Sequence, residues 1–407
     1  MAKKNNINLL IIVAALGYFV DIYDLIVFNV VKNESLQALG FSGEALKTNE
    51  IYLFNLQMTG MLLGGLIWGI MGDKRGRVSV LFGSIMLYSV ANILNAFVSN
   101  IDQYAIIRFI AGIGLAGELG AGITLVAENM PKEKRGYGTM IIVTFGALGA
   151  VFAGLVGKSF GWQTTYLVGG SLGLALLLMR AGAYESGMYT SLKQHEHIAR
   201  GNFFSLFKKP ANFLKYLACI LIGLPIWFAI GVLINLSNRF AEAHGFTAKL
   251  DMADSIMFAY LGLSVGDLAS GLLSQFFKSR KKVVFFYLFL SLLLMLVYLY
   301  NTSFLSLAYY KWMCFGIGFA TGYWALFVTI ASEQFGTNIR STVTNTVPNF
   351  VRGAVVPITL SFASLSASMG VIQAAFWVGL CCLLLAFVAT LYIKDSFSKD
   401  LNYFEMD

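Results

Sequence analysis

Charge is scarce in this chain. Of its 407 residues only 12% are Asp, Glu, Lys or Arg, where a soluble domain carries about 25%. Histidine is scarcer still, with three residues, and proline occurs five times. There is no H-E-x-x-H string and no complete G-x-x-x-x-G-K-S/T loop. Neither metalloprotease chemistry nor ATP-driven work therefore has its residues here. The four cysteines (Cys219, Cys314, Cys381 and Cys382) lie in apolar stretches without metal-ligand spacing, which assigns them to the core. The chain is not expected to be an enzyme, and no cofactor or metal site is expected.

Apolar length is what the chain has instead. Hydrophobic residues make up 57% of it. Twelve runs stand out: 8–31, 50–71, 78–99, 102–130, 138–159, 162–183, 212–236, 252–277, 283–301, 303–332, 342–367 and 370–393. Each is long enough to cross roughly 30 Å of hydrocarbon as a helix, and several are rich in glycine, which lets membrane helices pack closely. The expected fold is an all-α membrane protein of twelve transmembrane helices. The first run is too long for a signal peptide and lacks a small-residue cleavage site, so it reads as the first helix.

The net charge of +8 reflects topology rather than nucleic-acid binding. With the N-terminus cytoplasmic, both tails and the even-numbered loops hold most of the Lys and Arg outside the runs, in clusters such as Lys74, Arg75, Arg77 and Lys278, Arg280, Lys281, Lys282. The opposite side holds Lys32, Lys47, Lys158, Arg239 and Lys249. This bias places both termini in the cytoplasm and the protein in the inner membrane.

The polar stretch 185–211 separates six runs from six. It predicts an N-terminal bundle at 1–184, a cytoplasmic linker at 185–211, a C-terminal bundle at 212–394 and a cytoplasmic tail at 395–407; His195 and His197 read as solvated linker residues. The two halves echo each other. "GIMGDKRGR" (69–77) closes the second run and "GLLSQFFKSRKK" (271–282) the eighth. "AENMPKEKRG" (127–136) matches "SEQFGTNIRS" (332–341), aligning Glu128 with Glu333 and Arg135 with Arg340. Parallel repeats of this kind imply two pseudo-symmetric six-helix bundles with a site between them near the bilayer midplane.

"GDKRGR" with its degraded second copy, the twelve runs, the central linker and "RFIAGIGLAGE" (108–118) together resemble the major facilitator superfamily across the whole chain. "RFIAGIGLAGELGAGITLVAENMPKEKRG" is most similar to its proton-coupled metabolite symporters. "DIYD" (21–24) is similar to the D-G-x-D signature of the aromatic-acid symporters, with Ile22 replacing the glycine. The resemblance implies a loop latch at Asp73 with Arg75 and Arg77, a gate that also includes Glu128, Arg135, Glu333 and Arg340, and a monomer. Gln275 stands where the second loop's acid belongs. The fifth run lacks the Gly-Pro pair usual in drug antiporters.

Charges at membrane depth are functional candidates by default. Asp21 and Asp24 share a helix face. Asp24 lies roughly 12 Å, and Arg108 roughly 9 Å, from the outer ends of their runs, so the two acids are expected to share Arg108, with one of them carrying a proton. Glu118 is a further candidate for substrate or proton handling. Asp267 is expected in the inner gate, near Arg340 or the basic loop. Arg352, flanked by Pro348, Gly353 and Pro357, falls near the midplane and can hold a carboxylate by two parallel bonds. Tyr23, Gln57, Trp227, Asn235, Tyr323, Trp324, Asn345 and Asn349 are candidate pocket residues.

The expected activity is proton-coupled import of a small organic anion by alternating access, with protons, the lipid bilayer and an anionic small molecule as partners and no nucleic acid. An amino-acid importer, an exporter of an anionic metabolite such as a siderophore, and a receptor without flux remain as alternatives.

Overall fold

The computed structural model describes residues 2–131, 134–179, 200–248, 250–303, 305–397 and 399–405. Residues 185–199 of the expected linker, with His195 and His197, lie outside the described residues. Twelve helices in the described residues are long and apolar enough to cross a membrane, one for each expected run. Spans 1 to 6 are Ile11–Ala38, Gly43–Arg75, Arg77–Asn95, Ile101–Asn129, Arg135–Ser159 and Trp162–Met179. Spans 7 to 12 are Pro210–Ile234, Met252–Phe276, Arg280–Tyr300, Leu307–Gln334, Arg340–Met369 and Val371–Tyr392.

Span 1 outlasts its apolar run because its extra turns find polar partners. The Ser35 hydroxyl meets that of Tyr104 at 3.1 Å, and Lys32 pairs with Glu50 of span 2 at 3.5 Å. Span 2 likewise starts earlier than its apolar run, at Gly43.

Four spans are irregular where the sequence withholds a regular ladder. Span 4 breaks between Leu115 and Glu118, and span 10 between Ala320 and Trp324. These breaks occupy matching places in the two halves. At the second, the α-carbon of Gly266 lies so near Gly322 that a β-carbon there would stand 2.5 Å from it. Span 11 steps at Ala354, three residues before Pro357, which has no N–H to continue the ladder. Span 7 carries Pro225 and widens into a π-helical segment at Ala229–Ile234.

The halves meet where span 2 packs along Arg340–Gly353 of span 11 and span 5 along span 8. Glycines permit the approach: Gly65 lies against Asn345 and Asn349, and Gly69 against Thr342. The face carrying Asp73, Arg77, Glu128, Glu333 and Arg340 is the basic face. On the opposite face Lys158 of span 5 reaches Asp251 at 2.9 Å and also Asp254, while Lys311 of span 10 reaches Asp254 at 2.8 Å.

Candidate functional site between the two halves

A cavity opens at mid-depth between the halves. Span 1 contributes Tyr18 and Ile22, and span 5 contributes Val143 and Ala147. Span 7 adds Ile226, Trp227 and Ile230, span 8 Tyr260 and Leu263, span 10 Trp324 and span 11 Arg352. Its volume is about 20 Å³, room for a water molecule and far short of a metabolite.

Arg352 is the charge in this wall, and it is only 1% exposed. Its guanidinium carbon lies 5.9 Å from the ring centre of Trp227 and 5.6 Å from that of Trp324. Nη1 donates to Asn349 Oδ1 at 3.2 Å and Nη2 to the Tyr18 hydroxyl at 3.5 Å. Nε has no hydrogen-bond partner. Among the described residues no carboxylate stands within 4.0 Å of it. A buried cation is costly unless it is paired, and the described residues give this one two ring faces and two hydrogen bonds.

Asn349 holds that arginine in place. Its amide donates to Ala116 O at 2.9 Å, at the break in span 4, and to Asn345 O at 2.7 Å. The break in one half thus orients the cation of the other.

Asp267 corrects its expected place. It does not join Arg340; its Oδ1 accepts from Ala325 N at 2.8 Å, capping the second segment of span 10, and the Trp324 backbone also bonds to it. A carboxylate at a helix N-terminus satisfies donors that the break would orphan. In the first half Glu118 occupies the first position of the second segment of span 4 and is 1% exposed. Each broken helix therefore restarts beside an acid.

A second polar cluster lies inside the first bundle. Arg108 donates to Gln57 Oε1 and lies 5.1 Å from the ring centre of Phe28 and 5.8 Å from that of Tyr166. Its charge acts on Asp24, beside which Asn92 also stands. Tyr23 donates to Thr165 O at 2.8 Å. Asp21 and Asp24 are both fully buried, and Asp21 acts electrostatically on Tyr18, toward the cavity.

Of the other expected pocket residues, Trp227 and Trp324 line the cavity and stand edge to face at 6.4 Å. Tyr323, Tyr23, Gln57 and Asn235 do not line it. The hydroxyl of Tyr323 donates to Ile222 O at 2.9 Å, and Asn235 ends the π-helical segment. Asn345 is tied to Ser341 O at 2.9 Å. Tyr18 and Tyr260 are cavity residues that the sequence did not mark. The available signal was Tyr18 lying one helical turn before Asp21 on the same face.

The basic face is sealed by crossed pairs. Asp73 accepts from Ser341 N at 3.1 Å and from Thr342 N and Oγ1, each at 2.8 Å, capping span 11 across the interface. Arg77 reaches Asp73 at 3.4 Å and Glu128 at 2.9 Å. Arg340 crosses to Glu128 at 2.9 Å, and Arg135 crosses to Glu333 at 3.9 Å. Arg280, expected only as a topological charge, pairs with Glu333 at 3.3 Å. Arg75, expected in the latch, is exposed and takes no part.

The tail covers this seal. Arg340 Nη2 donates to Leu401 O at 2.6 Å, Thr337 N to Tyr403 O at 2.9 Å and Asn338 Nδ2 to Glu405 O at 3.0 Å. Arg135 Nη1 reaches Lys399 O at 3.3 Å, and the Ser396 hydroxyl donates to Glu333 Oε2 at 2.7 Å. Leu401 is fully buried.

Two enzyme-like strings are structural. Gly169 to Gly173 spells G-x-S-x-G inside the continuous helix of span 6, with Ser171 exposed, where a nucleophile needs a strand-to-helix turn. The triplet Gly157, Lys158, Ser159 ends span 5 instead of opening a helix.

Known proteins resemble the chain on three levels. It is 27% identical over 297 residues to a 3-(3-hydroxy-phenyl)propionate transporter of Escherichia coli (strain K12), covering 72% of this chain and 71% of that protein. It is 34% identical over 123 residues to the niacin transporter NiaP of Acinetobacter baylyi (strain ATCC 33305 / BD413 / ADP1), covering 29% of this chain and 28% of that one. The chain spans about half the length or less of the first curated relatives it matches. Its fold superposes on the proton:xylose symporter XylE with a TM-score of 0.78 at 15% identity, covering 98% of both chains. Residues 14–354 match the profile of one family, and with twelve spans in two repeated halves the protein is a multi-pass membrane protein belonging to the Major Facilitator Superfamily.

Proposed function

We propose that the protein is a proton-coupled symporter that imports a small organic carboxylate, of a kind bearing an aromatic ring, by alternating access across the cytoplasmic membrane. The observation that carries this reading is Arg352: a buried guanidinium between two tryptophans, with no carboxylate within 4.0 Å among the described residues. A bound carboxylate would supply the missing charge through charge-assisted bonds, and Trp227, Trp324, Tyr18 and Tyr260 would pack its ring. The names of the niacin and 3-(3-hydroxy-phenyl)propionate transporters are those of ring carboxylates, which agrees with this chemistry.

The proton would ride on Asp24 or Asp21, with Arg108 acting on Asp24 and Glu118 as a further acid near the broken helix. The sealed basic face is assigned to the cytoplasm on the charge bias of the loops, and substrate would enter from the other side. The cavity holds no more than water as it stands, so loading requires the halves or their side chains to part.

The test is uptake into proteoliposomes of labelled ring carboxylates, aliphatic carboxylates and amino acids, each with and without an inward proton gradient. Gradient-driven accumulation of a ring carboxylate is expected. Accumulation of amino acids alone, or no accumulation by oriented and folded protein, would overturn the reading.

A further inference from the structure

Tyr18 stands where the two halves touch across the cavity, and it is 3% exposed. Its ring is wedged against Gly146, where any β-carbon would collide with it. Its hydroxyl oxygen accepts from Trp324 Nε1 at 3.0 Å and from Arg352 Nη2 at 3.5 Å. Both donors belong to the second half, and the oxygen belongs to the first. Asp21, one turn along span 1, and Asp267, behind the break in span 10, act electrostatically on the same group.

An indole N–H and a guanidinium N–H converging on one oxygen form a geometry that suits a carboxylate better than a phenol. The Arg352 bond is already charge-assisted from its donor side; an ionised acceptor strengthens the Trp324 bond as well, so a carboxylate oxygen competes with the hydroxyl for both donors.

We propose that the Tyr18 hydroxyl is a stand-in for one oxygen of the substrate carboxylate. It occupies the Trp324 and Arg352 donors when the cavity is empty and ties the halves together there. The empty protein then has, from its own residues, the bridge that the substrate provides when bound. Tyr18 is therefore needed chiefly for the return of the unloaded protein between its two faces. Movement of the loaded protein depends on it less, because the substrate makes the bridge itself. This inference rests on the transport reading above.

The experiment compares two modes in proteoliposomes of the full-length protein, with radiolabelled nicotinate and 3-phenylpropionate as probes. Net uptake into empty vesicles requires the unloaded return; exchange against the same compound preloaded inside does not. For Tyr18→Phe, net uptake is expected to fall about ten-fold further than exchange, the equivalent of one lost hydrogen bond to a charged group. Trp324→Phe, which keeps a ring and removes the indole donor that both bridges share, should slow net uptake and exchange alike, while retained exchange by Tyr18→Phe shows that variant to be folded. Equal losses in both modes for Tyr18→Phe, or none in either, would overturn the inference while leaving transport intact. No movement of either probe by the unaltered protein in either mode would remove the proposed function, and the inference with it.

Discussion

One oxygen of Glu128 accepts from Arg77 of its own half and from Arg340 of the other, both at 2.9 Å. All three side chains are buried, so this carboxylate is both part of the first bundle and a clasp on the second. Glu128→Gln removes the charge and leaves two buried guanidiniums facing a neutral amide. Breaking a buried pair from one side costs about 3–5 kcal/mol. The variant should lose thermal stability in detergent, and a cysteine introduced at Thr344 should become more reactive to thiol reagents from the basic face. Unchanged labelling would show that the clasp does not hold that face shut.

Arg352→Lys keeps the charge and loses the paired geometry, whereas Arg352→Ala loses both. A hydrogen bond to a charged group is worth about 1.5–3 kcal/mol, roughly ten- to a hundred-fold in affinity. Binding of a ring carboxylate should weaken by about that factor in the lysine variant and further in the alanine variant. Binding of the corresponding neutral amide should change much less. Calorimetry with the acid and its amide separates the two.

Arg108 acts on Asp24, and Asp21 acts on the cavity residue Tyr18, so the amide variants of the two acids should differ. Asp24→Asn removes the carboxylate on which Arg108 acts and should abolish gradient-driven accumulation while exchange continues. Asp21→Asn lies closer to the cavity through Tyr18 and should alter the apparent substrate affinity as well. Full uphill accumulation by both variants would exclude span 1 from proton coupling.

On the face opposite the seal, Lys158 is 36% exposed and shared by Asp251 and Asp254. A pair this wet is worth about 0.2–1 kcal/mol and is screened by salt. Lys158→Ala should therefore change transport rates only modestly at low ionic strength, and hardly at all at high salt. The contrast with Glu128 follows from burial alone.

Removing residues 395–407 deletes the carbonyl that Arg340 Nη2 reaches at 2.6 Å and the hydroxyl that Glu333 accepts from at 2.7 Å. The truncated protein should show a lower melting temperature and a more accessible basic face. Burial lowers the affinity of the Lys399 ammonium for its proton, so tail docking favours its neutral form. Docking should strengthen as pH rises through the window between that lowered value and the ordinary value for lysine. Protease protection of the tail, measured across that range, reports it.

Composition and periodicity located the twelve spans and the doubled architecture, because hydrocarbon thickness and repeat spacing are written directly in the chain. The crossed partners Glu128, Glu333, Arg135 and Arg340 were legible for the same reason, each aligning with its counterpart. Arg280 was not, since its neighbours Lys278, Lys281 and Lys282 gave it the look of one charge among many. Asp267 was misplaced because its partner is a backbone N–H freed by the break at Gly322, and that break depends on how closely Gly266 approaches. Tyr323 occupies the repeat position of Glu118, yet its hydroxyl is bound to Ile222 O. Sequence spacing fixes where a residue sits along a helix and leaves its side-chain partner to the packing around it.

The tail adds a consequence for biosynthesis. Arg340, Thr337 and Asn338 bond to backbone groups between Leu401 and Glu405, which are made after all twelve spans. Spans can insert and bundles can assemble while translation continues, since domains fold progressively from the N-terminus. The sealed face cannot. It is completed only once these residues have been made, so a protein truncated before them would reach the membrane with every helix in place and this face without its cover.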